Sequence, residues 1–115
     1  MKLLKLLLVM LIPVIGMSQT LKLGDGVTVV HFNAGWNSAN DVKWLDDLTD
    51  CKIKQCDIAT NTKAQTKHEI AVVPTIIIFK DGEEVKRFQA DISFTMKATV
   101  EDVQEAINDA GFSDF

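Results

Sequence analysis

The chain contains no tyrosine and only two prolines, two cysteines and two histidines among its 115 residues. Each shortage excludes some chemistry. His31 and His68 lie at no ligand spacing from a cysteine, so no metal site is expected. Cys51 and Cys56 are separated by five positions; if they bracket one strand, a rise of about 3.3 Å per residue puts their Cα atoms about 16 Å apart, against the roughly 4.4–6.8 Å that a disulfide allows. They also point to opposite faces of such a strand. No glycine-rich phosphate loop, G-x-S-x-G elbow or pair of catalytic carboxylates occurs, so no cofactor is expected; Asp46-Asp47 and Glu83-Glu84 are adjacent acids that solvation explains. The charge balance, 12 Lys+Arg against 16 Asp+Glu, excludes nucleic acid and anionic lipid as main partners, because phosphate contacts need clustered cations.

An apolar run long enough to cross a bilayer, about 20 residues, is also lacking. Leu6 to Met17 is apolar but broken by Pro13 and Gly16, follows the short basic start Met1-Lys2-Leu3-Leu4-Lys5, and ends with small residues, Gly16 and Ser18, before Gln19. This is the layout of a secretory signal peptide over residues 1–18, with an uncleaved anchor as the competing reading. Its removal takes two lysines and no acid, leaving a formal charge of −6. The expected product is an exported protein, periplasmic or secreted, with no membrane association after cleavage, and residues 19–115 have room for one domain.

Val72-Val73-Pro74-Thr75-Ile76-Ile77-Ile78-Phe79-Lys80-Asp81-Gly82 organises the rest. Thr75 to Phe79 is a continuous β-branched and aromatic run, which suits a central strand covered on both faces. Asp81-Gly82 predicts a tight turn into a second strand, Glu83 to Gln89. Upstream, Val27 to Asn33 reads as a buried strand, and Val42, Leu45 and Leu48 with Trp44 predict a short helix capped by Ser38, Asn40 or Asp41. Lys52 to Ile58 is the next strand, and Asn61 to Ile70 a surface helix touching the sheet through Ala64 and Ile70. Thr99 caps a closing helix that presents Val100, Val103 and Ile107 on one face and stops at Gly111. The stretch from Ala90 to Ala98 is a loop. The order is β-α-β-α-β-β-α, an α/β mixed sheet flanked by helices, with the first three strands expected in parallel and the hairpin partner antiparallel at an edge.

Two stretches resemble the thioredoxin family. Asp25 to Trp36 is similar to the strand that enters the family's active site, and Val72 to Glu83 is similar to its proline loop and central hairpin. The resemblance implies a minimal thioredoxin-like fold, since Gln19 to Gly24 is too short for the usual extra strand and helix. It also implies a cis peptide at Val73-Pro74, held beside Trp36.

The family's Trp-Cys-Gly-Pro-Cys stretch corresponds here to Trp36-Asn37-Ser38-Ala39-Asn40, so Asn37 and Asn40 stand where both thiols would be. A carboxamide forms no sulfur–sulfur bond, so exchange by the family's route is impossible at this turn. The family's buried carboxylate corresponds to His31 and its accompanying lysine to Gln55. What persists is a surface: Trp36, Asn37, Asn40, Val73 and Pro74 are expected to line a groove that accepts a protein or extended peptide by strand addition. The leading expectation is a redox-inactive polypeptide-binding or scaffolding module. One alternative is a thiol-disulfide oxidoreductase using Cys51 or Cys56 with a partner, and another is a structural subunit of an envelope assembly. The oligomeric state is left open.

Overall fold

The computed structural model describes residues 21–112, so the signal-peptide reading, on residues 1–18, lies outside the described residues. Four strands form one sheet: β1 (Val27–Asn33), β2 (Lys52–Asp57), β3 (Thr75–Lys80) and β4 (Glu83–Gln89), in the order β2-β1-β3-β4. Among the described residues two α-helices, α1 (Thr62–Lys67) and α2 (Val100–Phe112), accompany the sheet.

β1 and β3 hold the middle because both faces of each can be buried. Alternate residues go to opposite sides: Val30 and Phe32 of β1 with Ile77 and Phe79 of β3 meet Ala64 and Ile70, while Val29, Ile76 and Ile78 meet Val103, Ile107 and Ala110 of α2. The three isoleucines of β3 have no exposed surface, and burying each stabilises the fold by about 1.5–3 kcal/mol.

The hairpin forms as the Asp81-Gly82 pair predicts. Both residues have positive φ, 51° and 87°, the type I′ geometry whose twist matches that of the strands. The Asp81 carboxylate also accepts from the Gly26 N–H at 2.7 Å, and the Asp81 N–H donates to Gly26 O at 2.9 Å, so the turn is tied to the entrance of β1. α2 begins with a reciprocal cap: Asp102 N–H donates to Thr99 Oγ1 and Thr99 N–H donates to the Asp102 carboxylate. It runs through Gly111 to Phe112 instead of stopping at the glycine. Asn61 caps α1 by accepting from the Ala64 N–H, and the helix ends at Lys67, so it covers six residues of the expected ten-residue stretch.

Two expectations fail. β3 runs antiparallel to β1, not parallel, although β1 and β2 are parallel. A six-residue helix is about 9 Å long, less than half the length of a strand of six. β3 starts from the end of the sheet where β2 finishes, with Asn33 and Asp57 paired near the end where Thr75 meets Phe32. The helix expected over Asp41 to Leu48 is reduced to one 3-10 turn, Leu45–Asp47, and a separate 3-10 segment, Gly35–Asn40, precedes it. Val42, Leu45 and Leu48 recur every third residue, the period of a 3-10 turn as much as of a helix face. Leu45 and Leu48 still reach the core, with Val42 and Trp44 packed against it.

Candidate functional site

β1 delivers the chain into the first 3-10 segment at the carboxyl end of the sheet. Ala34 is extended, the Asn37 N–H turns back to Ala34 O at 2.8 Å, and Asn37 itself leaves helical geometry at φ −113°, ψ 20°. Side-chain amides hold the segment in this shape. Asn33 Nδ2 donates to Asn37 O and to the Asp41 carboxylate. Asn37 Nδ2 donates to Asn33 Oδ1 at 3.1 Å and to Phe94 O at 3.2 Å, while Asn40 Nδ2 donates to Asn37 Oδ1 at 2.8 Å. One of these bonds engages a backbone group of the segment, the Asn37 carbonyl, and the others tie its side chains to the end of β1, to Asp41 and to the loop after β4.

The residues expected to line the groove divide sharply by exposure. Trp36 is 68 % exposed, Asn37 only 5 %, and Asn40 is half-buried. The Val73-Pro74 peptide is cis, and both residues are buried. This bend is fastened on either side: Thr75 Oγ1 donates to Val72 O at 2.7 Å, and the Ala90 N–H donates to Pro74 O at 3.0 Å.

The loop after β4 joins these parts. Leaving Ala90, it closes on itself through Phe94 N–H to Asp91 O and Ser93 N–H to the Asp91 carboxylate. It then sets the Phe94 ring edge-on against Trp36, 5.4 Å between centroids at 87°. Phe94 holds φ 63°, a left-handed conformation that strains a bulky residue by about 1–2 kcal/mol. Its carbonyl bond from Asn37 and its contact with Trp36 hold it there. Phe94 is 41 % exposed and Ile92, in the same loop, 95 %. Sequence reasoning missed both. The available signal was two large apolar residues set among Ser93, Thr95 and Asp91 in a stretch with neither strand nor helix period.

Beneath the turn lies a cavity of ≈ 320 Å³, bordered by His31, Ser38, Asp41, Gln55, Cys56 and Asp57. His31 is 2 % exposed; burial lowers its pKa below the ordinary value, partly offset by the Asp41 charge and the Gln55 side chain. The neutral imidazole so favoured accepts the Val42 N–H at Nε2. His31 and Gln55 are also register partners across β1 and β2.

Cys56 reaches this cavity and is buried, whereas Cys51 is half-buried on the other side of the sheet; both are free thiols. Burial raises both pKa values, and the neighbouring Asp50 and Asp57 charges raise them further. The thiolate is the form that attacks disulfides, so both environments oppose that chemistry. Among the described residues no three His, Cys, Asp or Glu side chains come together in a way that could hold a metal ion.

A family model described as Thioredoxin matches residues 18–102. Thioredoxins of Mycobacterium tuberculosis and Mycobacterium bovis are 38% identical to the chain over 39 residues, 34% of this chain and 34% of theirs. The match thus spans about a third of the curated relatives' length. Among solved structures, a mutant thioredoxin from Halobacterium salinarum NRC-1 superposes with a TM-score of 0.61 at 21% identity, over 75% of each chain. The Fasciola hepatica thioredoxin gives 0.57 at 27% identity, over 76% of this chain and 83% of that one. Both superpositions agree with the mixed sheet and flanking helices described above.

Proposed function

We propose that this chain, which belongs to the thioredoxin family, is an exported, redox-inactive module that binds or scaffolds polypeptides. One observation carries the reading: at the positions where the family resemblance puts two thiols, Asn37 and Asn40 are engaged in amide hydrogen bonds with each other, with Asn33 and with the Phe94 carbonyl. Such groups shape a surface without exchanging electrons. The contact surface is Trp36, Phe94 and Ile92, the large apolar side chains left exposed at this end of the sheet. Buried Asn37, Val73 and Pro74 support that surface from below. An extended segment lying across it would seat an apolar side chain on the aromatic pair. Export rests on the character of residues 1–18.

Cys56 favours a second reading, in which a partner protein's disulfide enters the cavity beneath the turn. Its raised pKa weighs against this. Insulin reduction with dithiothreitol separates the two. The chain is expected to add nothing to the rate of dithiothreitol alone, and catalysis lost in a Cys51→Ala, Cys56→Ala variant would establish the second reading instead. Pull-down from the native compartment tests the surface: Trp36→Ala combined with Phe94→Ala should recover fewer partners, and equal recovery removes the aromatic pair from the argument.

A further inference from the structure

β4 is one of the two edge strands of the sheet, and a groove of ≈ 500 Å³ lies between it and α2. The strand contributes Val85, Lys86 and Phe88 to this groove, and the helix contributes Asp102, Glu105 and Asp109. Val85 is 50 % exposed, at the irregularity that follows the Ile78/Phe79 register shift. Lys86 Nζ lies 5.6 Å from the centroid of the Phe88 ring, so this cation is held over its own strand. Asp102 is occupied by the Thr99 N–H. Glu105 and Asp109 are exposed and have no ion-pair partner among the described residues.

An outer strand offers unpaired N–H and C=O groups to any extended chain that fits beside it. Here the fit is selective by charge, because three carboxylates face one ammonium. Glu105 and Asp109 are one helical turn apart, a rise of about 6 Å. Side chains on one face of an added strand recur every second residue, about 6.8 Å. Basic residues at alternate positions therefore recur at a spacing close to that of the two carboxylates and share the groove side of the added strand.

We propose that the β4 edge and the acidic flank of α2 form a second interaction surface, taking an extended partner segment with Lys or Arg at alternate positions by strand addition. This surface is separate from the Trp36 and Phe94 pair at the end of the sheet. A second copy of the chain fits poorly, since pairing β4 with β4 brings two sets of Glu105 and Asp109 carboxylates to one face of the joined sheet.

The test is an NMR titration of the full chain with a synthetic peptide of alternating Lys and Val, matched to the seven residues of β4, and with its Glu counterpart. The Lys peptide should shift and slow the exchange of amides in Glu83–Gln89. Its affinity should fall about tenfold in Glu105→Lys combined with Asp109→Lys, and fall with added salt. Trp36→Ala should leave that affinity unchanged, which keeps this proposal distinct from the reading of the sheet end. Failure to bind at millimolar peptide overturns it. So does equal binding of the Glu peptide, equal binding by the charge-reversed variant, shifts confined to Ile92 to Phe94, or a dimer of the free chain joined through β4.

Discussion

Replacing Asn37 with alanine tests the amide cluster most directly. The side chain is 5 % exposed and takes part in three hydrogen bonds, two donated by Nδ2 and one accepted at Oδ1. Their losses are unequal. Asn33 is buried, and leaving its Oδ1 without a donor costs about 1–3 kcal/mol. Phe94 is partly exposed, so water replaces much of what its carbonyl loses, and freeing it lets the left-handed residue relax, returning up to about 1 kcal/mol. Half-buried Asn40 turns its amide to solvent at little cost. The net expectation is a destabilisation of about 2 kcal/mol, or about 8–16 °C in Tm for a domain of this size. Urea unfolding followed by circular dichroism measures it, with Asn40→Ala as the comparison, expected below about 0.7 kcal/mol. Limited proteolysis between Asp91 and Met96 should accelerate in Asn37→Ala alone. A loss within about 0.5 kcal/mol of the parent, the noise of surface substitutions, would show that the cluster does not fasten the loop.

Acid should weaken the fold before its carboxylates titrate. Burial lowers the pKa of His31, and burial together with Lys67 lowers that of His68, so the unfolded chain binds protons that the folded chain refuses. A histidine lowered in this way costs nothing above its unfolded pKa near 6.5; stability then falls with pH until the lowered folded pKa is reached, by at most about 1.4 kcal/mol per pH unit for each histidine. Urea midpoints at pH 7.5, 6.5 and 5.5 should decline in that order, and a flat profile would refute the assignment. Ile77→Ala, at a position with no exposed surface between α1 and the sheet, should cost about 2–5 kcal/mol in the same assay. A cost below about 1 kcal/mol would mean that this face of the sheet is loosely packed.

The sequence by itself determined the strands, the hairpin, the closing helix and the absence of thiols at the turn. Those features are local: β-branched runs, an Asp-Gly pair, a Thr99 cap and the identity of Asn37 and Asn40 act over a few residues. The direction of β3 was not legible, because an apolar run reads the same in either polarity, and it appears only in the pairing of β3 with β1. The failed helix at Asp41 to Leu48 shows the same limit, since its threefold spacing suits a 3-10 turn as well as a helix face, and the turn at Leu45–Asp47 is what forms. Only the tertiary structure buried Asn37, Val73 and Pro74 and brought Phe94 onto Trp36, 58 residues away in the chain. No periodicity encodes such a contact, because it forms where the sheet's topology returns two distant loops to the same end.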